Sequence, residues 1–273
     1  TSGGGNIAVG FEAGLETTIG DNNVYIGYRA AYRTAGLNNQ NNVFIGYYAG
    51  SGDWTSTLSS KNTAVGSLSM EGAMNSAVEN TAVGYRALNA ITTADSNTAI
   101  GVDCGDELTD GHNNVAIGAA TLGTSTSVGF ATAVGQQAMG SGDVTAAADG
   151  TVAIGYTALL NLTTGAGNTA VGNKAGAGVV TGTYNTFIGA ESGLVGSGSA
   201  IGYEALHGVL TTDASGTVAV GQRAAKAITS GIGNIAIGFE ALLVEDDGDN
   251  STAIGFQALK AQTVTSGAVN NTA

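Results

Sequence analysis

Proline is absent from the 273-residue sequence, and charged residues make up only 11% of it, against about 25% in ordinary globular domains. A chain without proline keeps every backbone N–H available as a hydrogen-bond donor. With so few charges, the fold cannot depend on many ion pairs. The apolar share is 43%, mostly small aliphatic side chains, so we expect backbone hydrogen bonding and a thin core to stabilise the protein.

Basic residues are also scarce. Eight Lys and Arg stand against 21 Asp and Glu, and the net charge of −13 would repel a phosphate backbone. We therefore expect no nucleic-acid partner. No stretch approaches 18 uninterrupted apolar residues, and residues 1–6 resemble no signal sequence, so we expect no membrane insertion. The single Cys104 excludes an internal disulfide framework.

Glycine, by contrast, is abundant, with 45 residues, and much of it belongs to a repeat of the form Asn-Thr-Ala-Val/Ile-Gly. The repeat occurs fifteen times, and the commonest interval between its glycines is 17 residues, with excursions to 13, 18, 19 and 20. The motif glycines are residues 10, 27, 46, 66, 84, 101, 118, 135, 155, 172, 189, 202, 221, 238 and 255. A fixed motif with a variable remainder predicts stacked coils with adjustable loops.

The predicted fold is an all-β parallel β-solenoid of about fifteen coils of 17–20 residues. It would extend over residues 1–273 as one repetitive segment. The chain ends at Asn271-Thr272-Ala273, which matches the opening of another motif, so we expect a piece of a longer fibre. Stacking would pair each backbone group with the coils above and below.

Each position of the motif suggests a structural role. Val or Ile always precedes the glycine, and side chains alternate along a strand, so we predict that this residue faces inward. The middle residue, usually Ala but also Tyr25, Phe44 and Phe187, would then face a neighbouring chain or solvent. The glycine requires positive φ or a close backbone approach. The leading Asn could cap a turn or bond to its own image in the next coil. After the glycine we expect a second short strand.

Units such as NTAVG-x-x-A-L at Asn80 and TVAIG-x-x-A-L at Thr151 resemble the head repeats of trimeric autotransporter adhesins and the repeats of phage tail-fibre proteins. The resemblance extends over essentially the whole chain. It implies a left-handed parallel β-roll, three chains packed about a common axis, and an extracellular location on a virion or bacterial surface. The 17-residue coil is longer than that of adhesin heads, and no stalk or anchor is seen in the sequence, which favours the phage-fibre interpretation.

Few residues are candidates for catalysis or metal binding. His112 and His207 are about five coils apart and are interpreted as surface-loop residues, and Cys104 stands where other coils have Ala, Ser or Thr and is interpreted as core. The acidic run from Glu245 to Asn250, with Asp246 and Asp249, could hold a cation, although a solvated turn is the simpler interpretation. We therefore expect no enzyme activity, no catalytic residue, no metal and no cofactor.

Asp53 and Trp54, in a lengthened 20-residue unit, are the candidate receptor contacts, because an aromatic ring beside an acid can stack on a sugar and accept its hydroxyls. Trp54 could equally cover a coil edge or a trimer seam. The expected function is a structural virion fibre giving reach, stiffness and host attachment, with a bacterial adhesin head as the alternative. The expected partners are two further copies in a homotrimer, a host cell-surface glycan or protein, and other virion or fibre proteins.

Overall fold

A computed structural model describes residues 3–34, 38–54, 58–193, 198–208, 216–263, 267–268 and 270–273. The chain forms two compact units, residues 1–146 and residues 147–273. Both are all-β and built from short parallel strands in chain order, as the sequence predicts for a parallel β-solenoid. A single turn of 3-10 helix covers Ala146–Ala148. No α-helix occurs in the described part of the chain.

The first unit contains eight parallel strands, each paired with the next along the chain. They are β1 (Ile7–Val9), β2 (Val24–Ile26), β3 (Val43–Ile45), β4 (Thr63–Val65), β5 (Thr81–Val83), β6 (Thr98–Ile100), β7 (Val115–Ile117) and β8 (Thr132–Val134).

The second unit contains seven more strands of this kind, again paired in sequence. They are β9 (Val152–Ile154), β10 (Thr169–Val171), β11 (Thr186–Ile188), β12 (Gly198–Ile201), β13 (Thr217–Val220), β14 (Ile235–Ile237) and β16 (Thr252–Ile254). Two two-residue strands, β15 (Gly248–Asp249) and β17 (Gly267–Ala268), pair with each other. Thr272 of the terminal partial motif pairs with Thr252.

The inward face of each strand is the opposite of the predicted one. The middle residue of the strand is buried, as for Ala82 in β5 and Ala99 in β6. Val83 and Ile100, which precede the glycine, are 37% and 40% exposed. The prediction that Val or Ile lines the interior is therefore wrong. The coil is narrow, and the small Ala leaves room for the apolar residues that follow the glycine, such as Leu88.

Tyr25, Phe44 and Phe187 also occupy the middle position, and all three are buried, so the prediction that they face solvent or another chain is wrong. Glycine at a neighbouring core position makes room for the rings. A Cβ at Gly50 would lie 2.6 Å from the Phe44 ring, and one at Gly193 would overlap the Phe187 ring. The aromatic residues and these glycines thus compensate for each other in volume.

The motif glycine satisfies both conditions predicted for it. Gly101 has φ +146°, and a Cβ there would lie 2.4 Å from the carbonyl oxygen of Gly118 in the next coil. The predicted second strand is wrong, because the segment after the glycine is a series of turns. Residues two and four positions after the glycine adopt left-handed φ, as Arg86 (54°) and Leu88 (48°) do, and this alternation interrupts any extended strand. Backbone N–H groups of this turn segment still donate hydrogen bonds to neighbouring coils, as that of Leu88 does to the Cys104 carbonyl.

The motif asparagines form a ladder, one of the two roles predicted for them. Asn185 donates from its backbone N–H to the Asn168 Oδ1 at 3.0 Å, and from its side-chain Nδ2 to the same oxygen at 2.9 Å. Most motif asparagines are fully buried. Because a buried amide without partners is costly, asparagines at the same place in successive coils stabilise the stack by satisfying one another.

Candidate functional site

The outer face of the strands in each unit carries an apolar residue at every coil. The residue before the motif glycine is always Val or Ile, and the residue two positions earlier is Val, Ile, Thr or Ser; both are apolar in β7 (Val115 and Ile117) and in β14 (Ile235 and Ile237). We call this surface the apolar sheet face. Exposed rings directly after the glycine extend it, and Phe11 stacks on Tyr28 with ring centroids 5.3 Å apart. Exposed apolar surface that repeats at every coil is more than a single chain usually leaves uncovered.

A second surface feature is a groove of about 470 Å³ in the first unit. Side chains from four successive coils line it, and we call it the tyrosine–arginine groove. Its residues are Arg29, Tyr32, Arg33, Tyr48, Ser51, Gly52, Asp53, Glu71, Gly72, Asn89 and Ala90. The groove lies on the turns that follow the motif glycines, whereas the apolar sheet face lies on the strands.

Arg29 is fixed at the first end of this groove. Its Nε donates to Glu12 at 2.6 Å, its Nη1 donates to the Tyr48 hydroxyl at 2.5 Å, and its guanidinium lies 4.7 Å from the Tyr32 ring centroid. The Tyr48 hydrogen bond, followed by that to Glu12, raises the pKa of Arg29. The guanidinium is therefore permanently charged and held by three neighbours.

Asp53 lines the same groove. Arg33 Nη1 donates to the two Asp53 carboxylate oxygens at 3.0 and 3.2 Å, and this bond raises the pKa of Arg33. On the far side, the Asn89 amide donates to Glu71 at 3.2 Å. The groove thus presents paired planar polar groups, of which Arg33 and Asp53 are exposed to solvent.

Trp54 does not reach this surface. Its side chain is fully buried and packs edge-on against Phe44, with ring centroids 5.7 Å apart. The hypothesis that Asp53 and Trp54 together contact a receptor is therefore wrong for Trp54. The indole is part of the core, where its apolar area is buried. The rings that line the groove with Asp53 are those of Tyr32 and Tyr48, both half-buried. Sequence reasoning missed them, although both occur five or fewer residues after a motif glycine.

In the acidic run from Glu245 to Asn250, three carboxylates accept hydrogen bonds from other groups of the protein. Asp247 accepts from Ser230 at 2.6 Å, and Asp249 accepts from the Ile232 N–H at 2.8 Å. Glu245 is buried and accepts from the Gly248 N–H at 2.8 Å. Within the described ranges these groups do not converge as metal ligands. Asp247 and Asp249 connect successive coils, and Glu245 bonds within its own turn.

One group of potential ligands was not found from the sequence. Glu191, Glu204 and His207 have ligand atoms within 4.8 Å of one another. Glu204 already accepts from Arg223 Nε and Lys226 Nζ, each at 2.8 Å, and these bonds, with that to Lys226 the larger effect, lower the pKa of Glu204 to about 2. Two cations on one carboxylate oppose the binding of a third, so this group is an ion-pair network.

The cysteine and the two histidines considered in the sequence each have a defined place in the fold. Cys104 is buried, its thiol donates to the Ala116 carbonyl at 3.3 Å, and burial raises its pKa to about 12. This confirms its interpretation as core. His112 is exposed and accepts from the Asp95 N–H through Nδ1 at 3.1 Å. His207 is partly exposed and lies 3.6 Å from Glu191.

No protein-family model matches the chain, and no curated protein matches its sequence. The resemblance to tail-fibre and adhesin repeats therefore stays a prediction from the motif. Across the described residues, no helix has the length and apolar character needed to cross a bilayer.

Proposed function

We propose that this chain is a structural segment of an extracellular fibre, in which copies of the chain associate through the apolar sheet face. The exposed Val and Ile residues support this proposal. A Val or Ile residue stands before the motif glycine in every one of these strands and is at least partly exposed, from Val83 and Ile100 in the first unit to Ile237 and Ile254 in the second. The position two residues earlier is Val or Ile in some strands and Thr or Ser in the others. An apolar surface of this regularity suits a permanent interface.

A second copy of the chain is the partner that this surface fits best. Parallel strands repeat about every 4.8 Å, so the Val and Ile residues of the apolar sheet face repeat with that spacing. Another β-solenoid of the same sequence presents side chains at the same spacing, and interfaces between identical chains use closed symmetry. We propose three copies about a common axis, each contributing its apolar sheet face.

Among fibres, the shaft of a phage tail fibre is the proposed type, located on the virion surface beside other fibre proteins. The long coils and the scarcity of groups suited to catalysis support it. A bacterial adhesin head is the second candidate, and the tyrosine–arginine groove favours it, because a built groove suits direct contact with a host glycan or protein. Both proposals share the stiff stack of hydrogen-bonded coils and the role in attachment.

Sedimentation velocity of the full chain tests the association. The double variant Ile100→Asp/Ile117→Asp places two carboxylates on the apolar sheet face of adjacent strands. Leu58→Asp is the control, because Leu58 is also exposed but lies outside the strands. We expect the wild type and Leu58→Asp to associate and the double variant to sediment as a folded single chain. Equal association of all three proteins would contradict the proposed interface.

A further inference from the structure

The tyrosine–arginine groove has a regular construction. Equivalent positions of four coils form its length. The residue six positions after the motif glycine is Arg33 in the first of these coils, then Gly52, Gly72 and Ala90. The three small residues leave the floor without bulky side chains, and at Gly52 a Cβ would overlap the backbone of the next coil. The floor is therefore a half-buried strip of backbone bounded by larger groups.

The walls combine aromatic rings with planar polar groups. Tyr32 and Tyr48 line one end, and Arg33, Asp53 and Asn89 supply donors and acceptors along the rest. The Arg29 guanidinium lies 4.7 Å from the Tyr32 ring centroid and 5.7 Å from that of Tyr48, so the rings and the guanidinium together form one flat wall against which the C–H groups of a pyranose ring can pack. The Arg33–Asp53 pair can bond to adjacent hydroxyls. We propose that this groove binds an uncharged oligosaccharide chain.

The charge of the groove favours an uncharged ligand over an anionic one. Arg29 and Arg33 contribute two positive charges to its lining, and Asp53 and Glu71 contribute two negative charges. The ion pair between Arg33 and Asp53 and the bond from Arg29 to Glu12 reduce the field that either arginine exerts on a ligand. A phosphate or sulfate group would have to displace these carboxylates, whereas a hydroxyl group can bond beside them.

The length of the groove favours a chain over a single sugar. Four stacked coils at a spacing of about 4.8 Å extend over about 14 Å, and this spacing is close to the length of one hexose in a polymer. Successive sugars could therefore meet equivalent positions of successive coils. The inference depends on the proposed role in surface attachment and specifies the chemistry of the contact.

Isothermal titration calorimetry of the full chain tests this binding, with neutral hexasaccharides of glucose, mannose, galactose and N-acetylglucosamine as probes. We expect saturable binding of at least one probe at millimolar concentration or below. Tyr32→Ala and Arg33→Lys should each weaken it tenfold or more. Arg33→Lys keeps the charge while removing the planar fork. Tyr184→Ala is the matched control, because Tyr184 is exposed but lies outside both the groove and the apolar sheet face, and it should bind like the wild type.

Several results would overturn the inference. One is failure of all four probes to bind. Another is binding that neither Tyr32→Ala nor Arg33→Lys weakens while circular dichroism shows both variants folded. A third is binding of a sulfated hexasaccharide alone, abolished by moderate salt. Sedimentation of the same samples separates this inference from the proposed function, since an associated protein that binds no probe contradicts only the groove.

Discussion

Asn97 bonds to Asn80 twice through one acceptor. The Asn80 Oδ1 accepts the Asn97 backbone N–H at 2.9 Å and the Asn97 Nδ2 at 3.1 Å. The same Nδ2 donates to the Gly111 carbonyl at 2.8 Å, and the Asn97 Oδ1 accepts from the Asn114 N–H at 2.9 Å. One fully satisfied, buried amide thus connects three successive coils.

Asn97→Ala should therefore be strongly destabilising. The change leaves the Asn114 N–H and the Gly111 carbonyl buried without this partner, and each unsatisfied group lowers the free energy of unfolding by about 1–3 kcal/mol. Asn161→Ala is the control, because the bond from Asn161 to the Ala177 carbonyl is exposed, and its effect should lie within about 0.5 kcal/mol. Thermal melts compare the two. A melting temperature of Asn97→Ala equal to that of Asn161→Ala would contradict a stabilising ladder.

The two faces of β5 give a second prediction. Ala82→Asp should prevent folding of its coil, because it buries an unpaired carboxylate in a narrow core. Val83→Asp should leave the secondary structure of the chain intact and weaken only its association with other copies. Circular dichroism and sedimentation of both variants distinguish the effects. If Val83→Asp lost its secondary structure while Ala82→Asp kept the circular dichroism spectrum of the wild type, the assignment of the two faces would be reversed.

The sequence predicts the fold but not this orientation. The intervals between motif glycines predict the coils, and the steric role of Gly101 and the asparagine ladder follow from residues that repeat at one position. The prediction that Val and Ile lie inside assumes that a single chain buries its own apolar side chains. Val83 is exposed in the single chain, so this assumption does not hold here. The position of Tyr25 could have been found, because Gly14 accompanies it and a Cβ there would lie 2.8 Å from the ring.

The candidate site was only partly predictable. Asp53 was identified from a lengthened loop, and it does line the groove. The inward turn of Trp54 depends on space beside Phe44 that no local pattern reveals. Tyr32 and Arg29 come from the preceding coil, so their proximity to Asp53 follows only from the register of stacking.

Glu245 provides a prediction about stability. It occupies the position seven residues after the motif glycine, where other coils bury Ile91, Leu108 or Ile228. One carboxylate oxygen accepts from Gly248, and the other has no hydrogen-bond partner. Glu245→Leu gives this position the aliphatic side chain of those coils and removes the partnerless oxygen at the loss of one hydrogen bond, so it should raise the free energy of unfolding by about 1 kcal/mol. A lower melting temperature for Glu245→Leu than for the wild type would contradict this account.

The pKa of Glu204 predicts a pH dependence. It falls from the ordinary value of 4.5 to about 2 because Lys226 and then Arg223 donate to the carboxylate. A lowered pKa in the folded state stabilises the fold above pH 4.5, and this contribution is lost as the pH falls towards 2. Glu204→Gln should therefore be less stable than the wild type at pH 6, by on the order of 1 kcal/mol after solvent screening, and equally stable near pH 2. A difference that is independent of pH would contradict the ion-pair network.

Light scattering of the wild-type chain, measured through a dilution series, tests the central claim most directly. We predict that the mass stays at three times that of one chain down to submicromolar concentration, because the apolar sheet face of each copy is buried against the others. A mass of one chain at every concentration, with undiminished β-sheet signal in circular dichroism, would contradict the proposed fibre association.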